Sequence, residues 1–251
     1  MKKRYPIGIN EWGGIKVLSI QKKMCKSDVL RYNRVFSAFT DMEFNMLQKG
    51  MRLRKYKKGQ VLFDEGDRKD KFFYLVHGLV KLERYDESAI YMYTDYVKEE
   101  RLFPYGEIFS DEVYRYTAYA LTDIELYTIP AKLFEDTLSG NAKQLIYFYK
   151  ILTDILIDHE ERIQYFVGTS ATSRIVKALT YLMEELGEQG GEGNAVVSYP
   201  ITICEIATIS GCSRETVGNK IKQLKEMKKL EHNHKILTFK DANYFRKYCE
   251  D

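Results

Sequence analysis

The stretch Ile209 to Lys225, ISGCSRETVGNKIKQLK, sets an arginine and a glutamate side by side where the pattern predicts the start of a helix. The planar guanidinium of Arg214 suits guanine O6 and N7 bidentately, and the carboxylate of Glu215 accepts from cytosine N4, so together they can read base edges. Ser213 precedes them as an N-cap. Val217, Ile221 and Leu224 fall at i, i+4 and i+7, one apolar stripe that must face a core. The opposite stripe carries Arg214, Glu215, Gly218, Asn219 and Lys222. Gly218 costs about 1 kcal/mol relative to alanine in a helix interior, and close approach to another surface explains that cost. Lys220, Lys222, Lys225, Lys228 and Lys229 cluster here against Glu215 and Glu226, a phosphate footprint that the net charge of +3 conceals.

The residues just upstream must position that helix. Thr202 as N-cap, with Glu205 three residues later, starts a short helix over ICEIATISG. Gly211 stops it, and Ser213 starts the next. Two helices joined by so tight a turn form a helix-turn-helix signature. The competing reading is a solvated charged face, since such corners occur in proteins that bind no DNA. A basic hairpin downstream, LEHNHKILTFK, and a long helix upstream favour double-stranded DNA as the partner.

The totals are those of a globular protein. At 251 residues the chain has room for one large domain or two ordinary ones. Its cysteines, Cys25, Cys204, Cys212 and Cys249, form no CxxC pair, which argues against a zinc site or a disulfide framework and fits a reducing compartment. No apolar run is long enough to span a membrane. The first residues, MKKRYPIGINEWGG, lack the apolar core of a signal peptide. A cytoplasmic protein with no membrane partner and no metal is expected.

Three textures follow one another. After an N-terminal extension, 1–35, the region 36–138 holds short segments rich in Val, Ile, Tyr and Phe, such as KKGQVLFDEGD, KFFYLVHGLVKLERYD, AIYMYTDYV, LFPYGEIF and YTAYALTDIELYTI. These read as antiparallel strands, with Gly59, Gly66, Gly78 and Gly106 at corners that need a positive φ. TDMEFNMLQKG precedes them as a short helix with a Thr40–Glu43 capping box. The region 139–168 is a long helix without an internal proline or glycine. Leu145, Phe148, Leu152, Ile155, His159, Arg162 and Phe166 alternate in spacings of three and four, the seam of a two-helix coiled coil, so a homodimer is expected. A buried helix within one subunit is the alternative. The region 169–251 holds a helix, SRIVKALTYLMEELGE, a flexible tract, EQGGEGNAVVSYP, the two helices above and the hairpin.

With these residues in place, the sequence resembles the catabolite-activator/fumarate–nitrate-reduction (CRP/FNR) superfamily of bacterial transcription factors over about residues 36 to 245. The resemblance rests on KKGQVLFDEGDRKDKFFYLVHGLVKL, the long helix and EIATISGCSRETVGNKIKQLKE, with CSRETVG the most specific element. It is similar to divergent Gram-positive members, including arginine-deiminase and virulence regulators. The resemblance implies an α+β fold: an N-terminal antiparallel β-roll of cyclic-nucleotide-binding type (a double-stranded jelly roll), a dimerisation helix and a C-terminal winged helix-turn-helix. It further implies a homodimer on a palindromic operator, with RNA polymerase as a partner. Arg214 and Glu215 would then read a TGTGA-like half-site and Ser213 would contact phosphate. Asn219 stands where catabolite activators carry a third base-reading arginine, and an amide prefers adenine.

Members that bind cyclic nucleotides use Gly-Glu followed by Arg-Ser/Thr-Ala. In GEIFSDEVYRYTA, Gly106, Glu107 and Thr117 match, but the arginine position is Tyr116 and Arg115 lies one residue away. On a strand that is the opposite face, so a cyclic nucleotide is disfavoured, Gly106–Glu107 reads as a strand corner and Arg115 as exposed. An iron–sulfur cluster lacks its cysteines, since Cys25 alone lies in the N-terminal region. A haem would need His77, more simply a surface residue at a strand end. His232 and His234 sit in the expected wing turn, and Cys204 and Cys212 read as buried, inert thiols. The tyrosine-rich segments either line a pocket for a small organic ligand or fill the roll. A cupin-like enzyme is the remaining alternative, but the roll offers only His77 as a clustered ligand. Any signal would act at Gly168-Thr169-Ser170, shifting the DNA-binding domains between poses.

Overall fold

A computed structural model describes residues 30–86, 92–110, 112–166 and 170–248. The aromatic segments form two four-stranded antiparallel sheets. One has the order β1 (Arg52–Tyr56), β8 (Ile124–Pro130), β3 (Lys71–His77), β6 (Leu102–Phe103); the other is β2 (Val61–Phe63), β7 (Thr117–Ala120), β4 (Val80–Tyr85), β5 (Met92–Val97). The space between them is filled by Phe63, Phe73, Leu75, Leu82, Phe103 and Leu126, among others. The run KFFYLVH shows no apolar–polar alternation because β3 is covered on both sides. Phe73 and Leu75 enter the roll interior, while Phe72 and Tyr74 join a second core outside it. Gly78 turns β3 into β4 at φ +93°, where a Cβ would lie 2.6 Å from the Asp123 carbonyl oxygen. Gly59 and Gly66 also take positive φ; Gly106, expected to do so, does not.

The second core lies beneath α1 (Asp41–Gly50), α2 (Ala131–Ser139) and the start of α3 (Ala142–Phe166). The expected capping box starts α1: Thr40 Oγ1 accepts from the Glu43 amide, and Glu43 accepts from the Thr40 amide. Leu30 and Val35 are buried in this core, so part of the segment assigned to the N-terminal extension packs with the sensor. Buried Gln144 fastens α3 by accepting from the Ala38 amide and donating to the Arg34 and Val35 carbonyls.

The seam expected on α3 is out of phase with the structure. Phe148 is buried within its own subunit, against Phe134 and Tyr105. Ile155 is half-buried. His159 faces Asp95 and Tyr93, and Arg162 lies over the Tyr93 and Tyr181 rings. The Phe166 side chain lies outside the described residues. Leu145, Tyr149, Leu152, Leu156 and Ile163 face outward at spacings of three, four and seven, with Ile146 and Ile157 exposed beside them. The roll covers the neighbouring stripe, which leaves this one free.

The C-terminal region comprises α4 (Ala171–Leu186), β9 (Glu188–Gln189), a 3-10 turn (Gly191–Gly193), β10 (Ala195–Val197), α5 (Ile203–Ser210), α6 (Arg214–Glu226), β11 (Leu230–Asn233), β12 (Ile236–Phe239) and α7 (Ala242–Lys247). The tract expected to be flexible supplies β9 and β10, which extend the hairpin to a four-stranded sheet in the order β11-β12-β10-β9. One core unites Val176, Leu179, Leu182, Ile206, Val217, Ile221, Leu224, Leu237 and Phe245 with Leu79 and Tyr96 of the roll. Gly168 and Thr169 of the expected linkage lie outside the described residues. Among the described residues, no helix is long and apolar enough to cross a membrane.

Candidate nucleic-acid interface

Both helices of the corner begin as their sequences require. Thr202 caps α5, accepting from the Glu205 amide, while Glu205 Oε2 accepts from the Thr202 amide (2.7 Å) and hydroxyl (2.8 Å). The Thr202 hydroxyl proton is therefore committed within the chain. Gly211 ends α5 in the left-handed region, φ +59°, a conformation glycine takes without a Cβ clash. Ser213 caps α6: its Oγ accepts from the Thr216 amide and shares a hydrogen bond with the Thr216 hydroxyl.

Val217, Ile221 and Leu224 are buried, which turns the other face of α6 to solvent. Arg214, Glu215, Asn219 and Lys222 are exposed there, and none forms an ion pair with the described residues. A Cβ added at Gly218 would meet nothing within 4 Å, so no contact inside the chain demands this glycine. The lysine cluster is less free than its charge suggests. Lys220 donates to Gln223, and burial pushes its ammonium down. Lys225 holds the His232 carbonyl of the hairpin, and Lys229 pairs with Asp241 at 2.7 Å. Lys222 and Lys228 remain exposed.

The hairpin turns at His234 and Lys235, whose φ values of +50° and +68° match a two-residue turn. His232 Nε2 is 2.8 Å from the Ile201 carbonyl, which ties the hairpin to the residue ahead of α5. Cys204 is exposed, not buried as expected; Cys212 is partly buried. Cys25 and Cys249 lie outside the described residues.

Two positioning contacts had no local sequence signal. Arg174 of α4 donates from Nε to the Ser210 carbonyl (3.1 Å) and from Nη2 to the Gly211 carbonyl (3.4 Å), clamping the turn. Lys81 of β4 reaches Glu205 of α5 from the roll.

In the roll, Gly106 and Glu107 lie in the turn after β6, where a strand corner was expected, and Glu107 is fully buried. Glu107 Oε1 accepts from the Arg115 amide at 2.9 Å, and its carbonyl accepts from buried Lys69. The Arg115 side chain is exposed. Thr117 accepts from the Glu65 amide. Tyr116, at the family's arginine position, packs with its ring 5.7 Å from Tyr93, which in turn meets His159. Burial pushes the Asp95 carboxyl up, but hydrogen bonds from His159 and the Tyr96 amide, with Arg162 nearby, hold it below its ordinary value. A cavity of about 550 Å³ lies elsewhere in the roll, lined by Phe63, Phe73, Tyr114 and Lys69 among others and by none of Gly106, Glu107, Arg115 or Thr117. His77 is exposed at the end of β3 and pairs with Glu99.

Known proteins share this architecture. Residues 53–141 match the cyclic nucleotide-binding domain family. The HTH-type transcriptional regulator ArcR of Staphylococcus epidermidis is 29% identical over 184 residues, 73% of this chain and 79% of that protein. The crystal structure of TTHA1359, a CRP/FNR-family transcriptional regulator from Thermus thermophilus, is similar with a TM-score of 0.63 at 24% identity, over 80% of this chain and 99% of that one. FixK2 from Bradyrhizobium japonicum gives a TM-score of 0.66 at 15% identity, over 79% and 96%. The roll, the helices beyond it and these relatives agree: residues 53–141 form a cyclic nucleotide-binding-type domain, and the chain as a whole has the fold of the CRP/FNR-family transcriptional regulators it is similar to.

Proposed function

We propose that the protein is a homodimeric, sequence-specific transcriptional regulator, not an enzyme, that acts on double-stranded DNA in the cytoplasm with RNA polymerase as a further partner. The observation that carries this reading is the exposed, unpaired face of α6, which begins with Arg214 and Glu215 and is backed by a buried apolar stripe. Arg214 and Glu215 read bases. Ser213 and Lys222 meet phosphate, Thr202 contributes through its place at the α5 terminus, and Gly218 admits the backbone closely. The outward stripe of α3, Leu145, Tyr149, Leu152, Leu156 and Ile163, pairs two subunits and sets their recognition helices about 34 Å apart, one turn of DNA.

Asn219 sets the departure from a TGTGA-like half-site. On operators selected by the wild-type protein, Asn219→Ala relaxes base preference at one position in each half-site. Unchanged preference at every position removes Asn219 from the reading set.

The roll senses a signal other than a cyclic nucleotide. Arg115 is exposed, and Tyr116, which stands at the family's arginine position in the sequence, packs its ring 5.7 Å from Tyr93. A buried phosphate without that cation loses its main partner. No cofactor is needed. Calorimetry with cyclic AMP and cyclic GMP returns no saturable heat if this reading holds; saturable binding lost in Arg115→Ala overturns it.

A further inference from the structure

The roll and the helix-turn-helix share three nearly buried charges. Lys81 Nζ lies 2.6 Å from Glu83 Oε1 on its own strand and 2.9 Å from Glu205 Oε1 on α5. The Lys81, Glu83 and Glu205 side chains are 12%, 12% and 10% exposed. Tyr96, opposite Lys81 in the β4–β5 ladder, and Leu79 are buried in the core of the C-terminal region. The boundary between the two parts is thus an apolar contact crossed by ion pairs, among them Lys81–Glu205 and Lys98–Glu185, of which Lys81–Glu205 is the more deeply buried and the one that reaches α5.

A buried ion pair adds little net stability but selects a geometry, because misalignment leaves a desolvated charge without its partner. This pair has a second property. Each partner also holds a bond that does not cross the boundary. Lys81 keeps Glu83 within the roll. Glu205 keeps the Thr202 amide and hydroxyl on its other oxygen, in the capping box of α5. Parting Lys81 from Glu205 breaks this ion pair and strands neither charge. A permanent core contact has no use for such spare partners, whereas a contact made to open needs them.

We infer that Lys81 and Glu205 form a releasable latch through which the roll holds the helix-turn-helix in its DNA-reading orientation. The latched arrangement leaves Arg214, Glu215, Asn219 and Lys222 all exposed, as base reading requires. Glu205 is the positioning residue, because the carboxylate that meets the roll also closes the N-terminus of α5. Lys98, which donates to the Glu185 carbonyl of α4 at 2.6 Å, and Tyr181, which donates to Asp95 at 3.2 Å, cross the same boundary beside it; α4, α5 and α6 share one core, so release frees them as a unit.

The inference rests on the proposed reading of α6, and its test separates the two. Hydrogen exchange on the full chain is compared for the wild type, Lys81→Met and Lys81→Met/Glu205→Gln, alongside binding to a selected operator. Lys81→Met leaves Glu83 and Glu205 facing each other. It should speed exchange in residues 203–210 and in β4–β5, leave the α1–α2 core unchanged, and weaken operator binding about tenfold. The double variant removes one of the two stranded charges, ends the repulsion between Glu83 and position 205, and keeps an acceptor for Thr202, so it should bring both readouts back to within about threefold. Unchanged exchange at 203–210 in Lys81→Met, or no restoration in the double variant, overturns the latch. Exchange decides the latch even if no operator is ever selected, an outcome that sinks only the reading of α6.

Discussion

Phe148 and Tyr149 are neighbours in sequence and lie about 100° apart around α3, yet Phe148 is 2% exposed and Tyr149 is 71%. The helix therefore has two apolar stripes, one fastened to its own roll and one unpartnered among the described residues. That division separates stability from assembly, and the two can be broken independently.

Leu152→Asp together with Leu156→Asp should give a folded monomer by sedimentation, with melting of the roll little changed. Phe148→Ala should cost about 3–5 kcal/mol of stability, because it opens a cavity among Phe134, Tyr105 and their neighbours. A Leu152/Leu156 double variant that remains dimeric would move the interface elsewhere.

Gly218→Ala should stabilise the isolated protein and weaken its grip on DNA. The added methyl meets nothing in the chain, and alanine gains about 0.8–1 kcal/mol in a helix interior. Thermal melting should rise while operator affinity falls. A variant more stable and equally tight would remove close approach as the reason for this glycine.

Acid should loosen the join between roll and helix-turn-helix before it unfolds the roll. Burial pushes the Glu205 carboxyl up, but hydrogen bonds from Lys81 and Thr202 outweigh it and hold the group below its ordinary value of 4.5. Asp95, beside His159 and Arg162, is likewise held below its ordinary 3.8. A depressed carboxyl contributes stability that is present above its unfolded value and lost as pH falls through its folded value. Protection against exchange at residues 203–210, relative to the intrinsic rate at each pH, should therefore be steady from neutrality down to about pH 4.5 and fall below it; Glu205→Gln should flatten that fall.

Local signals carried most of what the sequence could tell. Both capping boxes, the Gly211 stop and the Val217–Ile221–Leu224 stripe involve residues within a turn or two of one another, and each stands where the pattern puts it. The phase of the α3 seam was not legible, because Leu145 and Leu152 satisfy either of two adjacent stripes and only the roll decides which is covered. Glu205 was readable as a cap but not as a partner of Lys81, which lies 124 residues away. Arg174 was silent for the same reason: its acceptors are the carbonyls of a turn 36 and 37 residues on. Long-range polar contacts leave no periodicity to read.

Whether α6 reads bases in pairs of half-sites is decided by selecting bound duplexes from a random pool at physiological salt. The expected product is an inverted repeat with half-site centres about 10–10.5 base pairs apart, and Arg214→Ala should lose preference at one position of each half-site. A pool that enriches no sequence, with binding that fades for all duplexes alike as salt rises, would contradict base reading by α6.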